Sequence, residues 1–192
     1  MITIVSGIPR SGTSLMMQIL GAGGMPLHTD NLRTADESNP RGYYECESIK
    51  SLRTSPMVIA PADGKAVKVI SSLLAFLPSQ FQYRVIFMRR RLDEIIASQD
   101  KMLKQLGRTV AHKHEQRLFD AFRRHLESTQ AWLSKQPNIV VCYVDYSTVL
   151  GSPSVEASRV TAFIGQHLNV HAMAEQVEQS LYREKSSISF RA

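Results

Sequence analysis

The chain has 192 residues, of which 43% are hydrophobic and 21% charged, which suits one soluble globular domain with a sizeable core. Lys and Arg number 23 against 17 Asp and Glu, and the resulting charge of +6 favours anionic ligands. Because no basic run is interleaved with aromatic residues, the composition argues against a nucleic-acid-binding module.

The chain also lacks the patterns of a secreted or membrane-spanning protein. Its two cysteines, Cys46 and Cys142, are too few and too far apart in sequence to form a disulfide framework. A strand is predicted from residue 2 and no apolar run approaches ~20 residues, so we expect neither a signal peptide nor a membrane span. The expectation is a soluble cytoplasmic protein.

The first 20 residues predict a strand, a tight loop and a helix. Residues 2–5 form a short β-branched run, as expected of a buried strand, and Gly7 and Gly12 permit a tight turn after it. Apolar residues then recur at helical spacing at Leu15, Met16, Ile19 and Leu20. Such a loop points successive backbone N–H groups into one concavity at the positive end of the helix, which predicts an oxyanion site.

This loop differs from the loop that binds ATP at one position. The ATP-binding motif G-x-x-x-x-G-K-[ST] has a lysine after its second glycine, where this chain has Thr13. The cation is instead Arg10, inside the loop, whose guanidinium can contact an oxyanion in bidentate fashion.

After a polar, turn-rich stretch at residues 27–45, called the polar loop below, apolar strands alternate with helices. We predict further strands at 66–70, 84–88 and 139–144, and helices at 48–53, 73–77, 92–106, 111–135, 153–167 and 171–183. The alternation predicts an α/β fold in three layers, with a parallel sheet of about four to five strands and helices on both faces. We find no linker or repeat, so we predict a single domain over residues 1–192. Ligands of such sheets bind at the carboxyl ends of the strands.

Residues 9–14, Pro-Arg-Ser-Gly-Thr-Ser, resemble the P-[RK]-S-G-T-[ST] loop of the sulfotransferases that use 3′-phosphoadenosine-5′-phosphosulfate (PAPS). With the motifs below, the resemblance extends over about the first 150 residues and implies the P-loop NTPase-like sulfotransferase fold. In that family the loop cradles the 5′-phosphosulfate end of PAPS. This implies donor-binding roles for Arg10, Ser11, Gly12, Thr13 and Ser14.

Arg90 follows the strand predicted at 84–88, and Ser98 lies eight positions further on. The pair resembles the 3′-phosphate site of the family, in which an Arg is followed eight residues later by a Ser. A guanidinium and a hydroxyl at a strand's carboxyl end also suit a dianion. The alternative is that Arg90 is one of three neighbouring solvated arginines. Tyr146 resembles a family tyrosine near the nucleotide, with a core tyrosine as the alternative.

Lys68 is a charged residue in the otherwise apolar strand predicted at 66–70. Charged residues on buried strands are unusual unless they are paired. Its position resembles that of a lysine that family members keep near the transferring sulfuryl group, where it would stabilise charge on the bridging oxygen. The alternative is a strand-end lysine that reaches solvent.

Sulfuryl transfer needs a base that accepts the acceptor's proton, and the polar loop offers several carboxylates. Asp30 followed by Arg33 resembles the Glu-x-x-Arg of tyrosylprotein sulfotransferases, which makes Asp30 the first choice. Glu45 is the second choice, because residues 39–45 resemble the N-P-x-G-[YF]-x-E stretch of several bacterial members. A solvated or turn-capping carboxylate is the alternative for either residue.

The resemblance implies an enzyme that moves a sulfuryl group in line from PAPS to a hydroxyl or amine. It would release 3′,5′-adenosine bisphosphate (PAP) and need no metal. Two alternatives remain open. One is an ATP- and Mg²⁺-dependent phosphotransferase, which Asp145 after the last strand would favour and Thr13 disfavours. The other is a non-catalytic nucleotide- or anion-binding protein. No signature selects a sugar, lipid, phenol or peptide acceptor, or an oligomeric state.

Overall fold

The computed structural model describes residues 1–36, 39–105, 107 and 115–178. The strands are β1 (Ile2–Ser6), β2 (Leu27–His28), β3 (Ala66–Lys68), β4 (Tyr83–Arg89) and β5 (Ile139–Asp145). They form one sheet in the order β2-β3-β1-β4-β5, and every neighbouring pair is parallel.

Helices connect these strands. The α-helices are α1 (Thr13–Ala22), α2 (Leu92–Gln105), α3 (Glu115–Leu133), α4 (Tyr146–Gly151), α5 (Pro153–Ile164) and α6 (Val170–Glu175). Short 3₁₀ helices cover Glu47–Ser51, Pro56–Ala62 and Ser71–Phe76. Within the described ranges, no helix combines the length and the apolar character needed to cross a bilayer.

Both faces of the sheet are buried because the strands are apolar at successive positions. Val5 and Ile86 pack on one face with α1, α4, α5 and α6. Ile4 and Phe87 point to the other face, where they pack with the 3₁₀ helices and the end of α3. Alternate side chains of a strand point to opposite faces, so an unbroken apolar run supplies two cores. The predicted three-layer α/β fold is confirmed.

The structure corrects several predicted elements. β2 has only two residues and α4 only six, too few for a periodic pattern, and neither was predicted. Helix α6 ends at Glu175, so the predicted helix at 171–183 was wrong for residues 176–178. The remainder of that prediction, and residues 108–114 before α3, lie outside the described residues.

The sheet register brings the predicted site residues to one edge. Val5 of β1 pairs with Lys68 of β3 on one side and with Ile86 of β4 on the other. The loop that follows β1 therefore lies between the end of β3 and the end of β4, beyond which Arg90 begins the connection to α2.

Candidate active site

A cavity of about 440 Å³ lies at the carboxyl ends of β1, β3 and β4. This volume is within the range of about 300–1,000 Å³ that small-molecule sites occupy. Its described lining carries seven Lys and Arg side chains and two Glu side chains, so the cavity suits an anion. The lining includes these residues predicted from the sequence: Arg10, Gly12, Thr13, Ser14, Glu45, Lys68, Arg90 and Ser98.

The loop after β1 has the sharply bent backbone that its glycines predict. Gly12 has a φ of +99°, and Arg10 has a φ of +73°, which side-chain-bearing residues rarely adopt. A Cβ atom on Gly12 would lie 2.5 Å from the ring of Tyr146. Gly12 is therefore required both by its backbone angle and by the tyrosine packed against it.

Ser11 lies under this loop rather than in the cavity lining. It is 0% exposed, and its Oγ has no hydrogen-bond partner among the described residues. Gly12, which precedes α1, offers no side chain to cap the first backbone N–H groups of that helix. A buried hydroxyl without a partner and an uncapped helix N-terminus are groups that a phosphate oxygen can satisfy. The loop thus suits a bound oxyanion.

Arg10 and Ser98 are in direct contact at the centre of the cavity. The Nε of Arg10 donates a hydrogen bond of 3.0 Å to the Oγ of Ser98, which lies on α2. Burial lowers the pKa of Arg10, with the neighbouring Arg90 adding to the effect. Two guanidiniums brought together in a partly buried site favour a bound anion.

The side chain of Arg90 is largely shielded from solvent and contacts α2, α4 and the loop after β1, which excludes the solvated alternative. Its side chain is 9% exposed and pairs with Glu94 of α2 at 2.9 Å. Its Nη1 donates to the backbone oxygen of Arg10 at 3.3 Å, and its guanidinium lies 4.5 Å from the ring centre of Tyr146. Tyr146 is thus a buried tyrosine that also lines the cavity.

Lys68 joins the sheet to the polar loop. Its side chain is only 8% exposed, which excludes a lysine that reaches solvent. Its Nζ donates to Ser14 Oγ at 3.0 Å, to the backbone oxygen of Tyr43 at 2.9 Å and to Glu45 Oε1 at 3.2 Å. Burial lowers the pKa of Lys68, and Glu45 opposes that shift.

Glu45 is held between two cations. Besides Lys68, the Nη1 of Arg33 lies 3.2 Å from each of its carboxylate oxygens. Burial raises the pKa of the Glu45 carboxyl, but Lys68 and Arg33 outweigh burial and hold that pKa below its ordinary value. Glu45 is therefore an ionised carboxylate that faces the cavity.

Asp30, the first choice for the base, does not line the cavity. Its carboxylate accepts hydrogen bonds from the backbone N–H groups of Glu47 and Leu32, and these bonds lower its pKa. Asp30 therefore caps a turn, which is the alternative considered for it from the sequence. A short Asp side chain readily accepts a hydrogen bond from the backbone N–H group two residues further along the chain. Its catalytic role remains an untested prediction, and the geometry favours Glu45.

Asp145, which would favour the magnesium-dependent alternative, is paired with an arginine. Its two carboxylate oxygens accept from Arg89 at 2.9 and 2.7 Å, and it does not line the cavity of 440 Å³. Its geometry therefore gives the alternative with ATP and Mg²⁺ no support.

Sequence reasoning missed the contacts that shape the polar loop. Arg33 was considered only as a partner of Asp30, yet it lies against Glu45 and 3.4 Å from the centre of the Tyr43 ring. Arg41 bonds the backbone oxygen of Gln176 at 2.9 Å. No local pattern could have revealed these pairs, because the partners are distant in the chain or lie within an aperiodic loop.

Comparison with solved structures finds sulfotransferases. The sulfotransferase domain from the curacin biosynthetic pathway matches with a TM-score of 0.52 and 11% identity, over 100% of this chain and 93% of that chain. Mouse sulfotransferase SULT7A1 complexed with PAP matches with a TM-score of 0.55 and 15% identity, over 96% of this chain and 66% of that chain. The chain has the sulfotransferase fold.

Comparison with protein-family models finds no matching family, and comparison with curated protein sequences finds no match. At identities of 11–15%, the two structures establish the fold alone. A sulfotransferase fold can serve more than one function, so the chemistry has to be argued from the residues of the site.

Proposed function

We propose that this chain is a sulfotransferase that moves a sulfuryl group from PAPS to a hydroxyl or amine acceptor. The observation that carries the proposal is one cavity lined both by the loop after β1 and by the carboxylate of Glu45. Lys68 connects the two, since it contacts both Ser14 of the loop and Glu45. The sulfotransferase fold, and the PAP in the SULT7A1 structure, support this choice of donor.

The residues of the loop and of α2 would hold the two ends of the donor. The first N–H groups of α1, with Thr13 and Ser14 of the cavity lining, would bind the 5′-phosphate. Arg90 and Ser98 would bind the 3′-phosphate. When bound, PAPS supplies an activated sulfuryl group on a bridge to its 5′-phosphate.

Glu45 would act as the general base. It takes the proton from the acceptor hydroxyl, whose oxygen bonds to sulfur while the bond between sulfur and the bridging oxygen breaks. The bridging oxygen keeps the electron pair and leaves as part of PAP. Lys68 and Arg10 neutralise the charge that builds up on the 5′-phosphate, and positioning supplies much of the remaining acceleration.

An assay with ³⁵S-labelled PAPS tests the proposal. The acceptors are a phenol, a sugar, a lipid alcohol, a tyrosine peptide and an aliphatic amine, and the variants are Glu45→Gln and Asp30→Asn. We expect the wild type to label at least one acceptor, and Glu45→Gln to lower turnover by about 10²–10⁴-fold while PAP still binds. Asp30→Asn should lower turnover by far less.

Two results would contradict the proposal. If Asp30→Asn loses turnover and Glu45→Gln keeps it, the base is assigned to the wrong carboxylate. If wild-type protein binds PAP but labels no acceptor in the set, the non-catalytic alternative is favoured.

A further inference from the structure

The proposed base is held by two cations that come from different parts of the fold. Lys68 belongs to β3 of the sheet, and its side chain is 8% exposed. Arg33 belongs to the polar loop, is 46% exposed and lies 3.2 Å from both oxygens of Glu45. The Glu45 carboxylate thus has one cation from the sheet and one from the polar loop.

The ammonium group of Lys68 contacts both Glu45 and the part of the cavity proposed to bind the donor. Its ammonium contacts Ser14 in the first turn of α1, where the loop would hold a phosphate. A phosphate bound there competes with Glu45 for this one ammonium. Donor binding therefore weakens the Lys68–Glu45 pair at the moment when Glu45 is needed.

Arg33 is held by the ring of Tyr43, whose backbone oxygen also accepts hydrogen bonds from Lys68 and Ser14. Its guanidinium stacks 3.4 Å from the centre of the Tyr43 ring, and Tyr43 is 5% exposed. The hydroxyl of Tyr43 donates to Asp36, with its oxygen 2.8 and 2.7 Å from the two carboxylate oxygens. A buried ring, fixed at its far end, thus supports the arginine that contacts Glu45.

We propose that Arg33 is the positioning residue that keeps the Glu45 carboxylate aimed into the cavity while Lys68 turns to the donor. The inference rests on the proposed function, because it takes Glu45 as the base and PAPS as the donor. Arg33 acts through Glu45 and forms no bond to the reacting atoms.

Among the described residues, three cations face the carboxylate of Glu45, so the loss of one of them should change the pKa of Glu45 by a measurable amount. They are Lys68 of β3, Arg33 of the polar loop and Lys50 of the 3₁₀ helix Glu47–Ser51. Lys68 and Arg33 lower the pKa of Glu45 against the effect of burial. With Lys68 turned to the donor, Arg33 is the cation in direct contact that still favours the ionised base.

The experiment compares Arg33→Gln, Arg33→Lys and a control, Arg53→Gln, whose arginine lies 5.5 Å from the ring centre of Phe76 outside the cavity lining. PAP affinity is measured by calorimetry. The pKa of Glu45 in the PAP complex is measured by NMR of ¹³C-labelled Glu carboxyls, with Glu45→Gln identifying the signal. Turnover of labelled PAPS is followed against pH.

We expect Arg33→Gln to keep PAP affinity within about threefold, to raise the pKa of Glu45 in the complex and to lower turnover by about tenfold or more. The acidic limb of the turnover profile should move to higher pH, because the base then ionises at higher pH. Arg33→Lys should recover part of the loss, since it restores the charge but not the planar guanidinium. Arg53→Gln should match the wild type.

Three outcomes would overturn the inference. An unchanged pKa of Glu45 in the Arg33→Gln complex would do so, whatever the turnover. A loss of PAP affinity as large as the loss of turnover would make Arg33 a donor-binding residue instead. If wild-type protein fails to bind PAP at all, the proposed function falls and this inference falls with it, an outcome that the calorimetry of the wild type separates from the other two.

Discussion

At the scale of single residues, the position of one cation, Arg10, distinguishes the loop after β1 from a loop that binds ATP. The ATP-binding motif has a lysine after its second glycine, whereas this chain has Thr13 there and Arg10 within the loop. Arg10 donates a hydrogen bond of 3.0 Å to Ser98, and both residues line the cavity. Its planar guanidinium can bind two oxygens of one anion, which a lysine ammonium does less specifically.

The pKa of Glu45 predicts a pH dependence of stability. A carboxyl whose pKa is lower in the folded state contributes stability that is present above its unfolded pKa and lost as pH falls through its folded pKa. We therefore expect the difference in unfolding free energy between wild type and Glu45→Gln to be steady around neutral pH. It should shrink as pH falls below the ordinary glutamate pKa of 4.5.

Urea unfolding at a series of pH values measures this difference. Glu47→Gln is the control, because it removes an ion pair with Lys50 in which both side chains are 60% exposed, and such pairs contribute little. A wild-type advantage over Glu45→Gln that stays constant into strong acid would contradict the assigned ion pairs.

The ion pair of Arg90 and Glu94 predicts that substitutions at this site can change PAP affinity and unfolding free energy independently. Their side chains are 9% and 7% exposed, so Arg90→Ala removes an ion-pair partner 2.9 Å from a buried carboxylate, at a cost of up to about 3–5 kcal/mol. We expect Arg90→Ala to lose both unfolding free energy and PAP affinity. The double variant Arg90→Ala/Glu94→Gln should recover the unfolding free energy, measured by urea unfolding, but not the PAP affinity, measured by calorimetry. Recovery of both would contradict the role of Arg90 at the 3′-phosphate.

At the scale of elements, the loop after β1 depends on α4 as much as on its own glycines. Tyr146 is the first residue of α4, and its ring occupies the space that a side chain on Gly12 would need. The same ring lies under the guanidinium of Arg90. One tyrosine thus fixes both the loop proposed for the 5′-phosphate and the arginine proposed for the 3′-phosphate.

This packing predicts different effects for two similar glycine substitutions. Gly12 and Gly24 have φ angles of +99° and +93°, so alanine at either position has the same backbone strain, roughly 1–2 kcal/mol. A Cβ on Gly24 would meet nothing within 4 Å, whereas one on Gly12 would lie 2.5 Å from Tyr146. We expect Gly12→Ala to lower the melting temperature further than Gly24→Ala and to abolish PAP binding. Equal melting temperatures would contradict the packing described.

At the scale of the whole molecule, four of the five described strands of the sheet were predictable because their signals are local. Unbroken apolar runs mark strands buried on both faces, and the glycines at 7 and 12 mark the loop between β1 and α1. The three-layer fold follows from the alternation of strands and helices, and the sulfotransferase structures share it. The eight positions from Arg90 to Ser98 also span one connection, from the end of β4 into α2.

The polar loop was not predictable in the same way. Its structure depends on contacts such as Lys68 with Tyr43 and Arg41 with Gln176, whose partners lie far apart in sequence. The spacing of Asp30 and Arg33 favoured Asp30 as the base, but hydrogen bonds to the backbone hold its carboxylate outside the cavity lining. Burial and long-range ion pairs, which no spacing reveals, make Glu45 the better candidate.

Calorimetric titration with PAP, in parallel with ATP and Mg²⁺, is the most direct test of the central claim that this cavity binds the sulfotransferase donor. We predict that PAP binds more tightly than ATP with Mg²⁺, and that Arg90→Ala combined with Glu94→Gln weakens PAP binding while the protein stays folded. Tighter binding of ATP with Mg²⁺ would contradict the account and make Asp145 the next residue to substitute.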